Sequence, residues 1–243
     1  MSSLYDSAVA HRSADPRGLE PLLSIEAVLF DFSHTLFRLV DAETWLRRVA
    51  VAAGREAELD DDVRDKAIGQ LVDAYVLPEV TAAQAGRDLS PERHRHGMYE
   101  WWRRVDFLKG IEPVAYDVIR AADSWVPYSD AETVLRSLCE QGVKVGIISD
   151  FAWDLRVHLE HWGLDAWVDD VVISYQEGRE KPDPAMFRKA CRNLDVDPRA
   201  ALMVGDNPTR DGGASAVGMR TYLLPGEPRN DDRGLEHVLG FLA

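Results

Sequence analysis

Cysteine is nearly absent: Cys139 and Cys191 are the only two among 243 residues. So small a supply excludes a disulfide-stapled secreted scaffold, and both are expected to be reduced core residues of helices in a reducing compartment. Long apolar runs are missing too. No stretch reaches the ~18 apolar residues that a membrane span needs. Residues 1–22 mix Ser, Asp, His, Arg and Pro without the apolar segment of a secretion signal. That segment is expected to be a disordered leader, and the chain a soluble, cytoplasmic protein. Basic residues are outnumbered, 28 Lys and Arg against 42 Asp and Glu, for a formal net charge of −14. That sign argues against nucleic acid and anionic membranes as partners. Internal repeats and low-complexity tracts are absent as well. With 46% hydrophobic and 29% charged residues the composition is globular, at a length suited to one large domain or a core with an inserted second one.

The most informative stretch is Ile25 to Leu36. A short apolar run, Ala27-Val28-Leu29-Phe30, ends in Asp31, and Ser33, His34 and Thr35 follow. Such a run reads as a fully buried strand, and the end of such a strand is where α/β sheets bind ligands. After residue 128 strands and helices alternate. Asp130 is placed to N-cap a helix over Ala131–Gln141, with Leu135 and Leu138 inward and Gly142 as its stop. Strands are expected at Val143–Ile148, Val171–Ser174, Ala201–Val204 and Thr221–Leu224. Between them fall helices from about Asp154 to Gly163, from Asp183-Pro184 to Asn193, and over Asp211–Val217. This alternation predicts an α/β, Rossmann-like, doubly wound parallel sheet with helices on both faces.

Some ninety residues, Phe37 to Pro127, separate the first strand from the next sheet element, far more than a crossover needs. Apolar stripes through Trp45, Leu46, Val49 and Ala53, then Ile68, Leu71, Val72, Tyr75 and Val76, predict helices. Further stripes run through Met98, Trp101, Trp102, Val105 and Leu108, then Val114, Val118 and Ile119. The expectation is an inserted four-helix-bundle-like unit over 37–127, with the core formed by 23–36 and 128–243.

Four strand or loop ends carry polar residues: Asp31, Ser149, Lys181, and the turn Gly205-Asp206-Asn207-Pro208-Thr209-Arg210-Asp211. Read singly, each has a plainer role. Asp206 would form a turn, Asp211 would cap a helix, Lys181 would be a solvated loop residue, and Ser149 would merely end a strand. Asp183 is expected to cap its helix, and Asp150 either to contact a ligand or to satisfy loop backbone. Brought together, three carboxylates repel unless a cation sits among them, and an all-oxygen set with room for water suits Mg²⁺. Asp31 could then attack phosphorus and form an aspartyl-phosphate, with Ser149 and Lys181 holding the transferring oxygens.

In this order on such a sheet, the motifs resemble the haloacid dehalogenase superfamily, in the branch with a helical cap after the first motif. The matching residues are Asp31-Phe32-Ser33-His34-Thr35, Ser149, Lys181-Pro182-Asp183-Pro184 and the Gly-Asp-x-x-x-x-Asp pattern at 205–211. The resemblance implies Asp31, Ser33, Ser149 and Lys181 as catalytic positions. It implies Asp31, Ser33 (through its backbone carbonyl), Asp206 and Asp211 as ligands of Mg²⁺. Thr35, His34, Asp150, Asn207, Trp101 and Arg104 are the candidate substrate contacts. The implied activity is hydrolysis of a small phosphorylated metabolite by a monomer or homodimer.

One position departs from the pattern. Phosphatases of the superfamily carry a second Asp two residues after the nucleophile, to protonate the leaving alkoxide and activate water. Here that residue is Ser33. His34, next door, has a suitable pKa range, but strand alternation would turn it away from Asp31. Otherwise the leaving group needs little help, or the reaction is not ester hydrolysis. Carbon–halogen hydrolases lack the second Asp but also lack the acids at 206 and 211. Carbon–phosphorus hydrolases need a Schiff-base lysine, and in the insert only Lys66 and Lys109 are available. A weakly active or non-catalytic ligand- or partner-binding protein is the reading from a different class. In the insert, Arg87, Arg93, His94, Arg95, His96, Arg103 and Arg104 crowd around Trp101 and Trp102. They form either a specificity surface or a solvated face over core tryptophans, with one of the two Trp at most expected to reach a ligand.

Overall fold

In a computed structural model, which describes residues 23–226 and 231–242, the chain begins with the strand β1 (Ala27–Phe30), buried at every residue. The expected leader, 1–22, lies outside the described residues. A tight loop leads to β2 (Phe37–Leu39), after which come α1 (Ala42–Ala53), α2 (Asp61–Tyr75), α3 (Pro78–Gln84), α4 (Pro91–Trp102) and α5 (Glu112–Arg120). The chain returns through β3 (Trp125–Pro127), antiparallel to β2. It then alternates through α6 (Ala131–Glu140), β4 (Lys144–Ser149), α7 (Arg156–Trp162), β5 (Asp170–Ile173), α8 (Ser174–Glu177), α9 (Pro184–Leu194), β6 (Ala201–Gly205) and β7 (Arg220–Leu223).

The main sheet is parallel in the order β5-β4-β1-β6-β7. From β1 the chain runs outward through β4 and β5, then crosses back to β6 and β7. The strand order therefore reverses between β1 and β6, and the crevice at their carboxyl ends is where such sheets take ligands. One face packs Val28, Phe30, Ile147 and Val204 against Leu135 and Leu138 of α6. The other packs Ala27, Leu29, Ile148 and Met203 against Met186, Phe187 and Leu194 of α9. Strands covered on both sides have no polar face to alternate with, so they read as continuous apolar runs.

Several expectations need correction. Asp130 does not cap α6 with its side chain; its carboxylate instead accepts the backbone N–H groups of Arg233 and Leu235, tying the C-terminal segment to the helix start. Cys139 is exposed, because the inward stripe of α6 is Val134, Leu135 and Leu138; Cys191 alone is buried. Residues 211–217 wind as a 3₁₀ helix. The insert holds five helices, not four: Leu77-Pro78 ends α2 but also opens α3, because Pro at the first helical position starts a helix. The stripe expected along α2 is also only half inward. Of its five residues Leu71 is buried and Ile68 partly buried, whereas Val72, Tyr75 and Val76 are exposed; Ala67 and Ala74 make the rest of the inward face. No helix among the described residues is long and apolar enough to cross a membrane.

Candidate active site

The loop after β1 is wound around one carbonyl. Phe32 O accepts the N–H groups of Thr35, Leu36 and Phe37, while the Phe32 ring stacks on Phe37 at 4.5 Å and meets Phe151 edge-on. With its ring buried and its carbonyl saturated, Phe32 holds Asp31 and Ser33 on either side of it. Asp31 N–H donates to Val204 O of β6, so the carboxylate starts at the switch point.

Strand alternation ends at Phe30, and this changes the reading of His34. It adopts a left-handed conformation, φ 61°, uncommon for a side chain with a Cβ. Its N–H donates to Phe37 O, and its carbonyl accepts Nε of Arg233 at 2.6 Å. Held so, His34 lines the same cavity as Ser33, and the argument that turned it away does not apply to a loop.

Lys181 is buried with its ammonium between two carboxylates, 2.8 Å from Asp31 Oδ1 and 2.6 Å from Asp211 Oδ1. Burial alone would lower the lysine, but Asp31, Asp211 and Asp150 more than offset it and keep it protonated. Burial also raises the Asp31 carboxyl; Lys181 draws it down and Asp211 pushes it up, for a net upward shift. Carboxylate oxygens of Asp31, Asp206 and Asp211 lie within 4.8 Å of one another. Three acids against one lysine leave a formal deficit of two positive charges, and every donor is oxygen. That donor set fits a hard divalent cation.

The turn after β6 is built by its own residues. Asn207 Oδ1 accepts the N–H groups of Thr209 and Arg210, and Asn207 N–H donates to Asp211 Oδ2. The Asn207 side-chain oxygen is therefore occupied by the turn. Asp150 is occupied likewise: its oxygens accept Lys181 N–H and Arg210 Nη1, though it also lines the cavity. Ser149 Oγ and Thr35 Oγ1, by contrast, are buried hydroxyls with no hydrogen-bond partner. Orphaned buried hydroxyls of this kind are what a bound oxyanion would satisfy.

Facing the loop is a cavity of about 290 Å³ between core and insert. Its polar wall includes Ser33, His34, Arg87, Asp88 and Asp150; its apolar wall includes Met98, Trp101, Trp125, Phe151 and Trp153. Trp101 thus reaches this cavity, while Trp102 is packed inside the insert. Arg104 does not come to the site: it is half-exposed and pairs with Glu79 and Glu100 on the outer surface of the insert. The reason is angular, since three residues along a helix from Trp101 the chain has already left α4.

Sequence reasoning missed Asp88, His158 and Ser174, and named His94 only within the basic cluster of the insert. Ser174 Oγ, at the start of α8, donates to Asp88 O at 2.6 Å and receives Phe151 N–H at 3.0 Å. This fastens the insert to the core. Burial pushes the Asp88 carboxyl up to about 6. It lowers His94, beside Asp88 and bonded to Tyr116, to about 3, so that imidazole is neutral. His158 donates Nδ1–H to Ala122 O and accepts the indole N–H of Trp153, which fixes that wall. The only sequence signal for these groups was two aromatics, Phe151 and Trp153, directly after Ser149-Asp150.

A doubly wound sheet carrying a buried carboxylate at its switch point, beneath a helical insert, defines an α/β enzyme architecture with an acid-lined centre. The family model for haloacid dehalogenase-like hydrolases matches residues 25–218, and the chain belongs to that family. Among curated proteins, it is 30% identical over 218 residues to a ribulose-1,5-bisphosphate 5-phosphatase of Halopiger xanaduensis, covering 84% of this chain and 87% of that one. It is 31% identical over 223 residues to a glyceraldehyde 3-phosphate phosphatase of Methanopyrus kandleri, covering 86% and 90%. In fold it is similar to a phosphatase from Thermococcus onnurineus (TM-score 0.58, 22% identity, 90% of this chain and 98% of that one). It is similar also to an L-2-haloacid dehalogenase from Xanthobacter autotrophicus (TM-score 0.58, 23%, 90% and 84%).

Proposed function

We propose that this hydrolase is a Mg²⁺-dependent phosphatase of a small phosphorylated metabolite, working through an aspartyl-phosphate on Asp31. The observation that carries the reading is the Lys181 ammonium held between Asp31 and Asp211 with Asp206 in the same cluster. Asp31, the Ser33 backbone carbonyl, Asp206 and Asp211 would hold the cation. When bound, it neutralises the excess acid charge and polarises a phosphoryl oxygen. The 206 and 211 acids also weigh against carbon–halogen hydrolysis, despite the shared fold. The two phosphatase relatives support phosphomonoesters as the substrate class.

In this reading an Asp31 oxygen bonds to phosphorus as the ester P–O bond breaks, and the alcohol leaves with a proton. Lys181 balances charge on the transferring oxygens, and the hydroxyls of Ser149 and Thr35 donate to them. Water then attacks phosphorus and frees Asp31 together with inorganic phosphate. Ser33 holds no proton to exchange near neutral pH. The carboxyl and imidazole groups on the cavity wall are His34, Asp88, His94 and Asp150. A silent, ligand-binding member is the second reading, and Ser33 is the observation that favours it. The reading includes a cap over 37–127 on a core of 23–36 and 128–243, supported by the β2–β3 ribbon that joins them. It also includes a cytoplasmic location, with which two free cysteines are consistent, for a monomer or homodimer.

The test is phosphate release from p-nitrophenyl phosphate and a small phosphometabolite panel, with and without Mg²⁺. Release that needs Mg²⁺ and stops in Asp31→Asn is expected, with one phosphoryl group on the peptide holding Asp31 after acid quench. No release from any compound, or release that Asp31→Asn leaves intact, overturns the reading.

A further inference from the structure

The C-terminal segment, beyond the end of the family match at residue 218, returns to the loop that follows β1. Leu235 and Val238 are buried in the core cluster that holds Leu135 and Leu138 of α6, and the Asp130 carboxylate accepts the N–H groups of Arg233 and Leu235. Asp231 ties the same segment to both connections of the insert. Its carboxylate pairs with Arg38 of β2 at 2.7 Å, and its carbonyl accepts the N–H and the hydroxyl of Ser129, just past β3. Docked in this way, the segment presents Arg233 from a fixed origin.

Arg233 is only 3% exposed. Its Nε donates to His34 O and its Nη1 to Pro225 O, both at 2.6 Å. Among the described residues no carboxylate pairs with it, so carbonyl oxygens alone meet its charge. A guanidinium does not shed its proton to escape burial, and a buried charge is costly. An apolar side chain would pack there at less cost. What the charge does provide is a short, charge-assisted bond to one particular carbonyl.

That carbonyl lies in the middle of the loop. His34 is left-handed, φ 61°, and its N–H donates to Phe37 O at 2.7 Å. Because the peptide is planar and trans, Ser33 O must point the opposite way. In the next peptide, Thr35 N–H reaches Phe32 O only at 3.4 Å, so the bond from Arg233 is the stronger of its two ties. Thr35, whose buried hydroxyl lacks a partner, takes its orientation from that peptide.

Resting on the phosphatase reading above, we propose that Arg233 is a positioning residue for the reaction. By holding His34 O it fixes the turn from which the Ser33 carbonyl and the Thr35 hydroxyl serve the cation and the phosphoryl group. It acts through His34 and not on the substrate.

The test compares Arg233→Met, Arg233→Lys and Asp231→Ala with the wild type. The readings are turnover of p-nitrophenyl phosphate, its dependence on Mg²⁺, and amide hydrogen exchange. Arg233→Met is expected to lower kcat by up to about 10²-fold, the order for a reacting group displaced by an ångström, and to raise the Mg²⁺ concentration for half-maximal rate. Exchange over residues 34–37 should quicken more than over 235–241. An arginine that merely pegged the C-terminal segment would give the reverse pattern and an unchanged kcat. Arg233→Lys keeps one charged donor and should fall between Arg233→Met and the wild type. Asp231→Ala cuts the tie to Arg38 but spares the guanidinium, and should keep a kcat near that of the wild type. Unchanged kcat and unchanged exchange over 34–37 in a folded Arg233→Met overturn the proposal and spare the phosphatase reading. So does an equal loss of kcat in Asp231→Ala. If circular dichroism shows Arg233→Met unfolded, Arg233→Lys decides: a several-fold loss with faster exchange over 34–37 supports the proposal, and wild-type values overturn it. If the wild type turns nothing over, the phosphatase reading falls, and exchange over 34–37 alone decides whether Arg233 holds the loop.

Discussion

Gly205 and Asp211 are packed so closely that a Cβ on Gly205 would lie 2.2 Å from Asp211 Oδ2. The glycine at the end of β6 is therefore a space requirement of the carboxylate six residues on. Gly205→Ala is expected to displace Asp211, lowering kcat/KM roughly 10²-fold, the order expected when a reacting group moves by an ångström. Stability should fall by about 1–3 kcal/mol, as in other overpacked sites. Phosphate release and urea unfolding on the same preparation check both.

Lys181→Met leaves Asp31 and Asp211 buried without their ammonium. Breaking a buried pair of this kind costs about 3–5 kcal/mol. Loss of the positive charge on the transferring oxygens lowers kcat by about 10²–10³. Because the acids then lack any neutralising partner, Mg²⁺ is expected to raise the melting temperature of Lys181→Met more than that of the wild type, as read by calorimetry.

Ser33→Asp restores a proton-exchanging carboxyl and is expected to raise kcat toward the ~10²–10⁴-fold that such groups contribute. His34→Gly relieves the positive φ and should stabilise the fold by about 1 kcal/mol. If His34 exchanges the proton, the same variant loses activity in the Ser33 background and not in Ser33→Asp. Steady-state rates of the four combinations distinguish the cases.

Ser174→Ala removes the hydroxyl that bonds Asp88 O and receives Phe151 N–H. An unsatisfied buried N–H costs about 1–3 kcal/mol, and the insert loses a fastening to the core. Hydrogen exchange over residues 86–94 is expected to quicken while exchange in β1 is unchanged.

The buried His94 sets an acid limit. Its folded pKa, about 3, lies below its ordinary value of about 6.5. Between these the unfolded chain binds the proton and the folded chain does not, so stability falls as pH falls through this window. Asp88, held up to about 6, acts in the opposite sense between its ordinary range and 6. The comparison is therefore with His94→Gln, in which Asp88 is retained. From pH 6 to pH 4 the wild type should lose up to about 1.4 kcal/mol per pH unit relative to this variant in urea unfolding.

The core was legible in the sequence because strands covered on both faces must be apolar throughout and stop at polar residues. Asp31, Ser149 and Gly205-Asp206 mark the ends of β1, β4 and β6 for that reason, and Asp183 caps α9 through Ala185 N–H as its spacing implied. Boundaries shifted by a residue, as at β7. Helix count in the insert was misread because Leu77-Pro78 serves two helices at once.

What the sequence by itself determined is the parallel α/β core and the set of acids, since burial and charge act locally on each strand and its end. Tertiary structure alone decided the rest. Helical period gives a stripe but not its partner, so nothing local distinguishes Trp101, in the cavity wall, from Trp102, in the insert core, or from Arg104, outside. It also brought Lys181 across 150 residues to Asp31, and Ser174 across 86 to Asp88. Contacts over such separations depend on the crossing of chain between β5 and β6 and on the docking of the insert, and no window of sequence contains either.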